Sequence, residues 1–191
     1  MRHALIVVDD FYEDPDALVE RVLGLPFRQE EGVNYPGSMV ETFQDVREPM
    51  QRFARLLGDI DIRYRGTQGG FRVTTERDMA NRTSLVHTDS SDYSAVVYLS
   101  KRPADGTFFY RHKQLGIDYL APEHDQCADV GRALARDTMD LAAWDVTQLV
   151  AQKYNRLVLF DGRYFHSGAQ RFEGRTLAEG RLTQNFFLHR A

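Results

Sequence analysis

An antiparallel β sandwich or barrel, with helices packed outside one of its sheets, is the fold class predicted by the order of patterns in this chain. Three observations carry it. Apolar residues recur at helical spacing in two stretches of the first third. From Gly66 the texture changes to about seven short β-rich runs separated by Gly, Asp, Ser and Pro. The 191 residues give one domain a full core but are too few for two ordinary domains. The expected organisation is one domain over 1–191, with helical support over about 1–65, a β core over about 66–189 and a helical insertion over about 126–150.

Taken in order, Ala4 to Val8 reads as a buried strand. Asp14-Pro15-Asp16 is a helix start, with Asp14 as cap and Pro15 in the first turn. Ala17, Leu18, Val22 and Leu25 continue it at helical spacing. Gly32 to Gly37, with Asn34-Tyr35-Pro36-Gly37, is turn chemistry. Val46, Met50, Phe53, Leu56 and Leu57 form one stripe, which predicts a second amphipathic helix. The predicted strands are Phe71–Thr75, Thr83–His87, Ser94–Leu99, Thr107–Arg111, Arg156–Phe160, Tyr164–His166 and Leu182–Leu188. Between the fourth and fifth lies Gln126–Val150, of helical composition, with the single tryptophan Trp144.

Composition narrows the function. A net charge of −4 argues against nucleic acid or an anionic membrane as the main partner. Arg63, Arg65 and Arg72 lie close together and read as a solvated face. Cys127 is the only cysteine, so no intrachain disulfide forms and a reducing cytoplasm is the expected compartment. The apolar run Ala4–Val8 is too short for a signal peptide or a membrane span.

The chemistry concentrates in two places. His87-Thr88-Asp89 supplies two metal-ligating side chains at i and i+2, which share one face in extended chain. His166, 79 residues later, supplies a third from a distant strand. Two histidines and one carboxylate occupy one face of an octahedral Fe(II) and leave three positions for cosubstrate and oxygen. A lone His-x-Asp is weak evidence; the strand context and the downstream His and Arg strengthen it. His3, His112, His124 and His189 lack this context and read as surface or supporting residues.

Arg181 follows 15 residues after His166. Arg181, Thr183, Asn185 and Phe187 share one face of the last strand, while Leu182, Gln184, Phe186 and Leu188 share the other. A buried arginine needs an anion to offset its desolvation, and a cosubstrate carboxylate gripped in bidentate fashion, with Thr183 adding a hydroxyl, would supply one. Arg171 and Arg175 are rivals by distance from His166 but sit in a loop-like stretch. Tyr98, in the strand Ser94–Leu99, is placed to reach the same carboxylate.

These residues resemble a known family. His87-Thr88-Asp89, Ala95-Val96-Val97-Tyr98-Leu99-Ser100, Gly106-Thr107-Phe108-Phe109-Tyr110-Arg111-His112, Asn155 to Asp161, His166-Ser167-Gly168 and Arg181-Leu182-Thr183-Gln184 are similar to the Fe(II)/2-oxoglutarate-dependent oxygenase superfamily. The likeness covers about residues 66 to 189 and points to a small bacterial branch of unknown function with prolyl-hydroxylase-like motifs. It implies a double-stranded β-helix (a cupin-like jelly roll) with flanking helices. It implies Fe(II) held by His87, Asp89 and His166, and 2-oxoglutarate held by Arg181 with Tyr98 and Thr183. The interval from His166 to Arg181 is longer than in prolyl hydroxylases, because a loop with Gly174 and Gly180 intervenes, so Arg175 stays a rival.

The activity implied is O2-dependent hydroxylation of a small molecule, with release of succinate and carbon dioxide. Asp89 favours hydroxylation, desaturation or cyclisation over halogenation. A carboxylate-bearing substrate, such as an amino acid or natural-product intermediate, fits Arg72, Glu76, Tyr110, Arg111, Phe160 and the Gln114–Asp125 loop as candidates for the pocket mouth. The assembly is expected to be a monomer or homodimer. The alternatives are a cupin-like metal-dependent isomerase or hydrolase, and a non-catalytic jelly-roll binding module.

Overall fold

A computed structural model describes residues 5–30, 37–40, 45–63, 69–81, 85–171 and 173–191. His3, Arg65, the turn residues Asn34-Tyr35-Pro36, and Thr83 and Ser84 of one predicted strand lie outside the described residues. The first strand, β1 (Leu5–Val8), is followed by helix α1 (Pro15–Leu23). Asp14 caps α1 by accepting from the Ala17 N–H at 2.9 Å, with Pro15 opening the first turn. Strands β2 (Phe27–Glu30) and β3 (Gly37–Val40) come next, then helix α2 (Arg47–Leu56), which buries Pro49, Met50 and Phe53.

The remaining elements are β4 (Ile62–Arg63), β5 (Gly70–Thr74), β6 (Tyr93–Tyr98), β7 (Gly106–His112), helix α3 (Ala128–Asp137), β8 (Trp144–Ala151), β9 (Arg156–Asp161), β10 (His166–Ser167) and β11 (Arg181–Arg190). They form two antiparallel sheets. The larger has eight strands in the order β1-β9-β6-β11-β5-β3-β2, with β4 also on β11; the smaller is β10-β7-β8. Among the described residues, no helix is long and apolar enough to cross a membrane.

Period-2 alternation assigns the two faces of the large sheet. Phe71 and Val73 of β5, Ala95 and Val97 of β6, Leu157 and Leu159 of β9, and Leu182, Phe186 and Leu188 of β11 face α1 and α2 in one apolar cluster. Phe53 of α2 meets Phe186 edge-on with ring centroids 4.9 Å apart. The opposite faces of β6 and β9 meet the small sheet through Tyr98, Val158, Phe160, Phe109 and Val150. Gly106 makes the β7–β8 pairing possible: its φ is +119°, and a Cβ there would lie 2.1 Å from the Val150 carbonyl oxygen.

Four expectations need correction. The stretch 126–150 is helical only as far as Asp137 and a short 3-10 turn; from Trp144 it is strand β8, the outer partner of β7. Val146, Thr147 and Val150 give it β-branched character, and β7 needs a partner on its outer side. The N-terminal part is not only helical support, since β2, β3 and β4 extend the large sheet. In the stretch read as a strand over Thr83–His87, the described part contributes a single bridge, His87 to His166. Arg72 is also not solvated: it is 8% exposed, on the inner face of β5.

Candidate metal centre

The two histidines are brought together by backbone. The His87 N–H donates to the His166 carbonyl at 3.0 Å, and the His166 N–H returns the bond at 2.9 Å. Their rings lie 4.5 Å apart between centroids. Asp89 is fixed by its own N–H, which donates to the Gly162 carbonyl at 2.7 Å. Its Oδ1 lies 4.0 Å from His87 Nε2, and its Oδ2 3.4 Å from His166 Nε2. Among the described residues, His87, Asp89 and His166 are the one cluster of three side chains able to hold a metal ion, with ligand atoms within 4.8 Å of one another.

Hydrogen bonding sets the ligand atoms. Nδ1 of His87 lies 3.2 Å from the Leu85 carbonyl and Nδ1 of His166 lies 2.8 Å from the Tyr164 carbonyl. A carbonyl only accepts, so each Nδ1 carries the proton and each Nε2 turns a lone pair toward Asp89. The Ser94 hydroxyl donates to Asp89 Oδ2 at 2.5 Å, and Ser91 stands 3.0 Å behind it. Burial raises the Asp89 carboxyl, but in the metal-free site His166 and His87 in their protonated form, with the Ser94 hydrogen bond, outweigh it and hold it at about 2; a metal ion would take the place of those protons. Two neutral imidazole nitrogens and an ionised carboxylate are a donor set that fits a divalent first-row metal.

The triad opens into a cavity of about 800 Å³, open solvent at its mouth included. Arg181 and Thr183 of β11 line it. The Arg181 guanidinium lies 5.3 Å from the Tyr98 ring centroid, and its Nε donates to Gln152 Oε1 at 2.9 Å. It makes no ion pair with any of the described residues. Burial pushes its pKa below the ordinary value, against the influence of Tyr98 and Asp105. Gly168 stands two residues past His166, and a Cβ there would lie 4.0 Å from Arg181 Nη1. The triad and Arg181 thus line one cavity.

Other predicted positions fall differently. Tyr98 is fully buried behind the wall and bonds Thr107 at 2.6 Å; Thr107, not Tyr98, lines the cavity. Arg175 is 80% exposed beside Glu76, outside the cavity. Phe160 lines the cavity and packs on His166 with centroids 4.7 Å apart. Glu76, Tyr110 and Arg111 do not line it. His112, read as a surface or supporting residue, is fully buried and bonds Asp137 at 3.0 Å. Sequence reasoning passed over Ser94 as a partner of Asp89. It also passed over Thr74, although the Phe71-Arg72-Val73-Thr74 alternation was a usable signal.

The sequence matches the model of a family described as "Family of unknown function (DUF6445)" over residues 1–188. The chain belongs to this family. No curated protein matches it. Among solved structures, the DUF6445 chain is similar to SnoN, a non-heme alpha ketoglutarate dependent epimerase from nogalamycin biosynthesis, at 14% identity and TM-score 0.58, covering 100% of this chain and 80% of that one. It is similar to SnoK, the non-heme alpha ketoglutarate dependent carbocyclase of the same biosynthesis, at 16% identity and TM-score 0.58, covering 98% and 79%. HygX from Streptomyces hygroscopicus, solved with nickel and 2-oxoglutarate bound, matches at 14% identity and TM-score 0.51, covering 98% and 83%. At these identities the likeness gives the fold: the DUF6445 chain is a mainly β, cupin-like jelly roll with flanking helices.

Proposed function

We propose that this chain is a non-haem Fe(II)- and 2-oxoglutarate-dependent oxygenase acting on a small molecule, with hydroxylation as its default outcome. The observation that carries the reading is the joint placement of His87, Asp89, His166 and Arg181 around one cavity. In this reading His87, Asp89 and His166 hold the iron, and Arg181 with Thr183 holds the far carboxylate of 2-oxoglutarate. Tyr98 supports Arg181 through its ring and Thr107 through its hydroxyl. When bound, iron and 2-oxoglutarate couple O2 reduction to substrate oxidation, with decarboxylation of the cosubstrate to succinate. The residues orient and shield: Ser94 holds the Asp89 carboxylate, while Phe109 and Phe160 flank His166 and keep water from that side. The named reactions of SnoN and SnoK, epimerisation and carbocyclisation, keep outcomes other than hydroxylation open to the same machinery.

The test is an anaerobic titration of metal-free protein with Fe(II) and then 2-oxoglutarate, read by visible absorption. A weak charge-transfer band that needs both additions, is lost in Arg181→Ala and His87→Ala and survives in Arg175→Met is the expected result. A band that survives in Arg181→Ala refutes the cosubstrate assignment. Failure of the wild type to form any band refutes the oxygenase reading.

A further inference from the structure

Asn185 offers the cavity hydrogen-bonding groups that the cosubstrate reading leaves unused. It lines the cavity from β11, two residues past Thr183 and on the same face of the strand as Thr183 and Arg181. It is half-buried, and among the described residues no group hydrogen-bonds to its side-chain amide. Ser94 and Thr107, also on the wall, are engaged, on Asp89 and Tyr98. Strand register accounts for the difference. Asn185 is paired with Val96 of β6 on one side and Gly70 of β5 on the other, and neither has a polar side chain. Over Gly70 the space belongs to Met39, whose Cε lies 2.8 Å from where a Cβ would stand. The amide is flanked by apolar groups, so its partners come from the cavity.

Position and chemistry name the partner. Phe187, next on the same face, is paired with Ser94, the residue that holds Asp89. Asn185 thus stands one row from the metal ligands and one row from Thr183, about 7 Å along the strand from each. Arg181 and Thr183 serve the outer carboxylate of the cosubstrate in the reading above, and its keto acid serves the metal. Asn185 remains for the molecule being oxidised. It presents one acceptor, Oδ1, and two N–H donors on Nδ2. A primary amide or a lactam carries its carbonyl and an N–H side by side and answers both at once. A carboxylate would set oxygen against Oδ1, an ester offers no donor, and a trans secondary amide points its N–H away from its carbonyl. A polar group left unanswered in a closed site weakens binding. Met79, Leu85, Ala169 and Phe187 give the cavity apolar wall for the rest of the molecule. We infer that Asn185 pairs with an amide on the substrate, so that the substrates of this chain are small primary amides or lactams. The inference rests on the oxygenase reading above and adds to it a substrate class and the residue that selects it.

The test uses protein loaded anaerobically with Fe(II) and saturating 2-oxoglutarate, with the visible band followed throughout as a monitor of the cosubstrate. The probes are a panel of lactams with the matching lactones, and of primary carboxamides with the matching methyl esters and acids. Binding is read by calorimetry. The expected result is that amides bind at least about tenfold more tightly than their esters and acids, as one buried donor–acceptor pair implies. Asn185→Leu, close in size, abolishes that preference while the Fe(II) and 2-oxoglutarate midpoints stay within about threefold, and Asn185→Gln keeps part of it. Thermal denaturation of each variant confirms a folded protein, and Asn185→Ala takes the place of Asn185→Leu if the latter does not fold.

Loss of the band, or a larger shift of the 2-oxoglutarate midpoint, in Asn185→Leu places Asn185 on the cosubstrate and overturns the inference. So does an amide preference that survives the substitution, a wild type that binds esters or acids as tightly as amides, or a panel that does not bind. A wild type without any band fails the oxygenase reading itself, a result separate from all of these.

Discussion

Replacing Ser94 with alanine tests the metal centre without touching a ligand. Ser94 is 2% exposed, and its hydroxyl donates to Asp89 Oδ2 at 2.5 Å. The substitution removes one oxygen and leaves the strand position filled, so packing changes little. A buried hydrogen bond to a charged group is worth about 1.5–3 kcal/mol. If that energy orients the carboxylate for metal, its loss corresponds to roughly 10- to 100-fold weaker binding, the range usual for residues that hold a ligand in place. The assay is an anaerobic competition titration of Co(II) or Fe(II) against a chelator, with the thermal midpoint of the metal-free protein measured in parallel. Ser91→Ala, one bond further back at 3.0 Å, should cost less than about tenfold. Metal affinity within about threefold of wild type in Ser94→Ala would refute the claim that this hydroxyl positions Asp89.

Two further predictions concern the fold. His112 accepts the Leu115 N–H at Nδ1 and bonds Asp137 through Nε2, with its ring edge-on to Trp144. His112→Leu should therefore destabilise the protein by about 2–4 kcal/mol in urea unfolding, because a backbone donor and a carboxylate lose their partner; a change below about 0.5 kcal/mol would show the cluster to be dispensable. Stability should also fall on the acid side. Arg136, then His112, hold the Asp137 carboxyl at about 2, below its ordinary 3.8, and Arg47 holds Asp45 at about 2. Folded values below unfolded ones give stability that is complete above the unfolded pKa and lost as pH falls through the folded one. The thermal midpoint should be flat above about pH 5 and decline from about pH 4 to pH 2, less steeply in Asp137→Asn.

What the sequence made legible follows from what is local. The Asp14 cap, the α2 stripe and the two faces of β11 are set by spacing within one segment, and the structure has them as read. The cluster of His87, Asp89 and His166, which could hold a metal ion, was legible because His-x-Asp carries its own geometry and because His166 ends a strand pattern. What was not legible depends on partners. Trp144–Ala151 has mixed propensity and becomes strand because β7 needs an outer partner. Arg72 looked solvated beside Arg63, yet one strand of context places it inside. Tyr98 shares the face of Val96, but its hydroxyl length and the facing Thr107 decide that it stops behind the wall.

That same logic yields a stability prediction opposite in sign to its functional one. β11 is paired on both sides, by β5 and β6, so the guanidinium of Arg181 is carried by a central strand. Among the described residues its contacts include the neutral Gln152 and the face of Tyr98, with no ion pair, and burial pushes its pKa down against the more distant Asp105. A cation held this way is compensated fully only when an anion enters the cavity. Arg181→Met, close in volume and without charge, should leave the metal-free protein as stable as wild type or up to about 3 kcal/mol more stable, since apolar replacement of buried charge is often neutral or favourable. The same variant should lose the thermal stabilisation that 2-oxoglutarate confers on the metal-loaded wild type, a gain set by ligand concentration over its dissociation constant. Paired melts with and without 2-oxoglutarate read both effects. A variant that is strongly destabilised without ligand would mean that Arg181 holds the sheet together, and that its charge is satisfied by the protein alone.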